Sequence, residues 1–223
     1  MNEDLKLHNY IELIDSVILP VIDEPVCVSV SGGADSALLL YYVMKYYNSK
    51  IYITTLADRS KNLKNTKKSI SVVSKCAELT SNTNFIHMID YADTQTLPNL
   101  FNLSNQLFED NLIKFRIHGI TANPPNTILE KFNNITTEHT TRDPSVHRSI
   151  INGKYIRPWT NINKKIIAQM YIKENLMESL FPLTSSCEWK EGSPYNKGVD
   201  PYVDHCGYCW WCQERIWGFG RLT

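Results

Sequence analysis

The sequence predicts an α/β fold, an open doubly wound parallel sheet that carries a small cysteine-rich C-terminal module. Three observations carry this. From about residue 26, apolar runs rich in β-branched residues alternate with helical periodicities, the pattern of successive strand–helix units. A glycine pair, Gly32-Gly33, sits where the first such run meets the helix after it. Near the other end, Cys206, Cys209 and Cys212 follow one another at Cys-x₂-Cys spacing, with Cys187 upstream.

The chain of 223 residues suffices for one α/β domain, here placed at residues 1–180, with an appended module at residues 181–223. Hydrophobic content of 43% and charged content of 21% are those of an ordinary soluble protein. Formal net charge is zero, so nothing global points to nucleic acid or an acidic membrane surface. No apolar run approaches a membrane span, and Met1-Asn2-Glu3-Asp4 does not open a signal peptide. A cytoplasmic location is therefore expected. There the six cysteines are reduced or metal-bound rather than paired as disulfides.

Taken in order, Leu7, Tyr10, Ile11, Ile14, Val17 and Ile18 recur at helical spacing and predict a covering helix over residues 5–18. Val26 to Val30 read as a buried strand, followed by a helix to about Tyr47. Residues 50–57 form a second strand and 85–90 a third, with a helix between them ending near Leu79. His87 reads as a packed core histidine. Helical periodicity returns over residues 103–115, and residues 117–123 read as a fourth strand ended by Pro124-Pro125. Residues 136–149 have no clean period and suggest a long loop, in which His139, Arg142, His147 and Arg148 are candidates to meet substrate. Residues 155–159 are extended, and Asn163 caps a helix carrying Ile166, Ile167, Met170, Tyr171 and Leu176.

Two places carry chemistry. Ser31-Gly32-Gly33-Ala34-Asp35-Ser36 follows a strand and opens a helix. Free backbone N–H groups at a helix start, with glycines that let the backbone curl, make an anion site. Ser31 and Ser36 add hydroxyls, and Asp35 either caps the helix or helps to hold Mg²⁺. No Gly-Lys-Ser/Thr follows, so this is not the common P-loop. In an open parallel sheet ligands bind beyond the carboxyl ends of the strands. An adenine is thus expected against main chain near Leu56, and Gly119 permits a close approach. Residues 58–68, with Arg59 and a run of lysines, form either a solvated turn or a basic rim for an anionic substrate.

The second place is the cysteine set. Cys187, Cys206, Cys209 and Cys212 offer Zn²⁺ four thiolates, and Gly207 suits the tight turn. An iron–sulfur cluster, disulfides, or His205 in place of one thiolate are the alternatives. Trp189, Trp210, Trp211, Trp217 and Phe219 read as the small core around this module, with stacking on a planar heterocycle as a second use.

Ser-Gly-Gly-x-Asp-Ser after a strand resembles the loop of the N-type (PP-loop) ATP pyrophosphatases, whose sheet is Rossmann-like. Pro158-Trp159-Thr160-Asn161-Ile162-Asn163-Lys164, Thr184-Ser185-Ser186-Cys187, and Cys206-x₂-Cys209-x₂-Cys212-x₂-Arg215 with Gly218-Phe219 narrow the resemblance to 7-cyano-7-deazaguanine synthases. It implies an ATP- and Mg²⁺-dependent ligase that adenylates 7-carboxy-7-deazaguanine and converts it with ammonia to the amide and then the nitrile. It also implies one structural zinc per chain and a homodimer. By motif position Val30, Ser31, Gly32, Gly33, Ala34, Asp35 and Ser36 would hold pyrophosphate and Mg²⁺, and Lys164 would meet phosphate charge. Arg59 and Arg215 are the substrate candidates. The chain departs from the family's usual pattern after the second strand, at Ala57-Asp58-Arg59-Ser60, and after the fourth, at Asn123-Pro124-Pro125-Asn126. Two alternatives stand beside this: a PP-loop enzyme that modifies tRNA, which the lysines favour and the zero net charge disfavours, and a non-catalytic nucleotide-binding zinc protein.

Overall fold

A computed structural model describes residues 9–58, 64–92, 97–132, 142–143, 145–187 and 204–223. It is a mixed α/β structure around a six-stranded, mostly parallel sheet. The central strand β3 (Val26–Ser29) is followed by α1 (Ala34–Tyr46), β4 (Ile51–Asp58), α2 (Lys64–Thr80), β5 (Phe85–Ala92), α3 (Leu97–Glu109) and β6 (Phe115–Ile117). After a short α4 (Asn126–Leu129) come β7 (Ile151–Asn152), β8 (Tyr155–Ile156), α5 (Lys164–Lys173) and α6 (Trp210–Phe219). The strand order is β5-β4-β3-β6-β8-β7, and only the β7–β8 pair is antiparallel.

Period-two alternation in β3 explains the layers. Val26, Val28 and Val30 enter the main core with α1, α2 and α5, while Cys27 packs with Leu107 of α3 on the opposite face. Helices thus cover both faces, an arrangement compatible with the expected doubly wound fold. Helix α1 is apolar nearly all round, with Leu38, Leu39 and Leu40 wholly buried, because α2 and α5 flank it. Its fixed position anchors the loop at its start. The chain leaves β3 toward β4 on one side and returns from β5 to β6 on the other. The crevice beyond β3 and β6 is therefore a topological switch point, where open α/β sheets bind ligands.

The first element differs from expectation. Where the helix over residues 5–18 was expected, residues 9–21 form a β-hairpin of β1 (Asn9–Ile14) and β2 (Val17–Val21), and residues 5–8 of the expected helix lie outside the described residues. Asp15 (φ 41°) and Ser16 (φ 66°) both adopt positive φ, as the turn of a two-residue hairpin requires. Leu13, Val17 and Leu19 then reach the core, and the β-branched residues that weaken a helix suit the strands. Tyr47 OH donates to the Pro20 carbonyl and Lys173 Nζ to the Leu13 carbonyl, which ties the hairpin down.

Two boundaries also move. Helix α3 stops at Glu109 rather than running to residue 115, because Asn111 turns left-handed (φ 56°) and Leu112 N donates back to Leu107 O, closing the helix end. The strand expected over residues 117–123 is only Phe115–Ile117. Beyond it Gly119 abuts the backbone of Asp35, and Ala122 and Asn123 bond Ile162 and Arg142 instead of a strand. His87 is half-buried, and its Nε2 lies 2.9 Å from Thr55 Oγ1.

Candidate functional site

Every part of the loop after β3 is fixed by backbone demands. Gly32 has φ +81°, and a Cβ there would lie 2.9 Å from the Asn65 carbonyl oxygen and from Lys68 Cβ at the start of α2. Gly33 is the N-cap of α1 and supplies no side-chain cap, so the first-turn N–H groups of α1 have no capping side chain. Ser36 Oγ donates to Gly33 O at 3.1 Å and lies 3.3 Å from Ser31 Oγ, curling the loop on itself. Val30 is buried, its N–H bonded to Thr54 O and its carbonyl accepting from Thr55 Oγ1. The remaining wall comes from the C-terminal part: Ser185 N donates to Gly32 O at 2.9 Å.

A cleft of about 250 Å³ opens over this loop. Ser31, Gly33, Ala34, Asp35, Ser36, Gly119 and Lys164 all line it, so most of the residues expected around the nucleotide share one cleft. Asp35 does not cap the helix. Its Oδ2 pairs with Lys164 Nζ at 2.5 Å, and its buried Oδ1 has no hydrogen-bond partner among the described residues. Such an orphaned carboxylate oxygen beside hydroxyls and helix N–H groups suits a hydrated Mg²⁺ and a phosphate chain together. Trp159 Nε1 and Tyr171 OH donate to the carbonyls of Asp35 and Ala34, pinning the start of α1. Gly119 is needed because a Cβ would come within 3.1 Å of the Asp35 carbonyl group; the close approach it allows is to this helix.

The same wall holds residues that motif reading passed over. Glu214 is 1% exposed, accepts from Arg142 Nη2 at 3.1 Å and lies 3.8 Å from Lys164 Nζ. Burial pushes its carboxyl upward from the usual range, and the two cations oppose that. His118, at the end of β6, is nearly buried, and desolvation together with Arg116 and Arg157 lowers its imidazole to about 4, so it is neutral at pH 7. Glu214 had one signal: Trp210, Glu214 and Gly218 recur at i, i+4 and i+8, a single helix face.

Several expected contacts lie elsewhere. Leu56 is half-buried on β4 and does not line the cleft. Arg215 is wholly buried. Its guanidinium binds the carbonyls of Leu222, Phe181 and Thr184 and sits 3.9 Å from the Phe181 ring, which makes it a packing residue rather than a substrate contact. Arg59, Lys61, His139 and Trp189 lie outside the described residues. Lys68 pairs with Asp204 at 2.7 Å, which removes one cation from the proposed rim. Of the loop candidates, Arg142 lines the cleft, His147 is exposed, and Arg148 binds the Thr160 and Asp143 carbonyls. Trp211 lines the cleft and Trp210 is buried beneath it, while Phe219 joins Tyr171 and Phe181 in the main core.

The four cysteines Cys187, Cys206, Cys209 and Cys212 converge, with all sulfurs within 4.8 Å of one another. Gly207 takes φ +76° and Cys209 N donates to Cys206 Sγ at 3.3 Å, the turn that wraps one metal. Four buried or half-buried sulfurs without a disulfide fit a tetrahedral thiophilic metal such as zinc. Cys209 is the N-cap of α6 and Cys212 lies in its first turn, so the cluster and Glu214 share one helix.

No helix among the described residues is long and apolar enough to cross a membrane. Fold and site together define a mixed α/β protein with a cleft over the uncapped start of α1, lined by Asp35 and Lys164, and a cluster of four cysteines that could hold a metal ion. No protein-family model matches the chain, and no curated protein matches it.

Proposed function

We propose that this chain is a cytoplasmic PP-loop ligase that activates a carboxylate with Mg²⁺-ATP and amidates it with ammonia. The acceptor would be 7-carboxy-7-deazaguanine and the product its nitrile, as in the 7-cyano-7-deazaguanine synthases that its motifs resemble. One observation carries the reading: Asp35, at the uncapped start of α1 over a switch point, has one buried oxygen without a partner among the described residues and the other on Lys164. ATP supplies the driving chemistry by turning a carboxylate oxygen into a leaving group. The chain's own residues do the rest. Ser31, Ser36 and the first-turn N–H groups of α1 hold phosphate oxygens, Asp35 holds Mg²⁺, and Lys164 answers the charge that develops on the phosphates. Zinc at the four cysteines fixes α6, and the chain works as a homodimer.

Incubation with Mg²⁺-ATP, ammonium and 7-carboxy-7-deazaguanine, followed by mass spectrometry, tests this. Amide or nitrile with stoichiometric pyrophosphate is the expected result. A folded, zinc-replete protein that makes neither would rule the acceptor out.

A further inference from the structure

The charged groups on the cleft wall form a chain of alternating sign. Asp35 touches Lys164 at 2.5 Å, Lys164 approaches Glu214 at 3.8 Å, and Glu214 holds Arg142 at 3.1 Å. One Glu214 oxygen serves each cation. The chain is neutral as a whole but not at its ends. Lys164 stands between two carboxylates, whereas among the described residues Arg142 has a share of one. At the first end Asp35 Oδ1 has no partner among the described residues, and this end is short of a cation. At the other, Arg142 is short of an anion among the described residues. Its Nη1 donates to Thr121 Oγ1 and one Nη2 proton to Glu214. The guanidinium also lies 4.8 Å from the Trp210 ring, and Trp211 lines the cleft alongside.

We propose that Arg142 is the residue that reads the anionic group of the acceptor, an oxyanion on a planar ring, and that Glu214 is the positioning residue that aims it. This rests on the carboxylate-activating reading above and deepens it. A guanidinium braced by a buried carboxylate, a threonine and an indole loses little freedom on binding, so its fork is preorganised. Trp211 offers the planar acceptor a stacking surface beside it. The dipolar cleft separates the two ligands: metal and phosphates at the Asp35 end, acceptor at the Arg142 end.

The shared chemistry, an oxyanion, has two sources here, and binding measurements on the wild type, Arg142→Gln and Glu214→Gln separate them. The probes are inorganic pyrophosphate with Mg²⁺, 7-carboxy-7-deazaguanine, its neutral 7-cyano counterpart, and indole-3-carboxylate as a generic planar carboxylate. The wild type should bind at least one of the two carboxylates, and should prefer 7-carboxy-7-deazaguanine, where it is bound, over the nitrile. Both variants should lose about tenfold or more in carboxylate affinity and keep pyrophosphate affinity. The double variant should be no worse than Arg142→Gln alone, because Glu214 acts through Arg142. A merely structural Glu214 would instead lower thermal stability and add its effect to that of Arg142→Gln. The proposal is overturned if the wild type binds neither carboxylate, if Arg142→Gln binds them as tightly as wild type, or if that variant loses pyrophosphate instead. Binding of indole-3-carboxylate through Arg142 without any binding of 7-carboxy-7-deazaguanine would uphold Arg142 and overturn the deazaguanine assignment alone.

Discussion

Gly218 of α6 lies directly against the aliphatic stem of Lys164 at the start of α5. A Cβ at position 218 would lie 2.8 Å from Lys164 Cβ and closer still to its Cγ. The helix that follows the cysteine cluster thus sets where the cleft's lysine points. Gly218→Ala should push Lys164 off Asp35, destabilise the fold by about 1–3 kcal/mol, and lower turnover by about a hundredfold. Chemical denaturation and an ATP-dependent rate check both. A Gly218→Ala enzyme with wild-type rate would show that Lys164 is not held by this contact.

The loop itself should be as intolerant. Gly32→Ala places a side chain at φ +81° and within 2.9 Å of a backbone oxygen of α2. That combination should cost about 1–3 kcal/mol and weaken pyrophosphate binding, read by denaturation and calorimetry. By contrast Gly153, also at positive φ, meets nothing within 4 Å, so Gly153→Ala should leave pyrophosphate binding unchanged.

Much of this was legible in the chain. Strand, glycine pair and helix marked the loop because the β-branched run of Val26, Val28 and Val30 has no other good use, and Cys-x₂-Cys spacing marked the metal cluster. The N-terminal hairpin was not legible. Leu7, Ile11, Ile14 and Ile18 satisfy a helical period, and the period-two pattern emerges only once Asp15-Ser16 is known to turn. Glu214 escaped for a different reason: it meets Lys164 only because α6 packs against α5, a pairing with no local signature, whereas Arg142 was already a loop candidate.

His118 gives the stability a pH dependence. Its folded value of about 4 lies below the usual 6.5. Between these values the unfolded chain binds a proton that the folded chain refuses, so stability is full above 6.5 and falls as pH drops toward 4. The loss should approach about 3 kcal/mol. Urea midpoints of wild type and His118→Asn between pH 7 and 4 measure it. Equal slopes in the two proteins would refute the assignment.

Metal should bind at one equivalent per chain and release protons. Hydrogen bonding with Cys187, and burial, raise Cys209 and Cys212 above the ordinary thiol range, Cys212 to about 12. Apparent affinity should therefore fall as pH falls, and chelation should loosen α6. Metal titration with proton counting, and hydrogen exchange of residues 210–219, test this. Protection in α6 that survives chelation would separate the cluster from the cleft.

The most direct measurement is acceptor-dependent pyrophosphate release from Mg²⁺-ATP by the wild type and by Asp35→Ala, with both proteins shown to be folded and metal-loaded. Release by the wild type that Asp35→Ala loses by about a thousandfold or more is the predicted result, since that substitution removes the cation position and Lys164's partner at once. Equal release by both proteins would contradict the account of this cleft, as would a wild type that cleaves ATP only to ADP and phosphate.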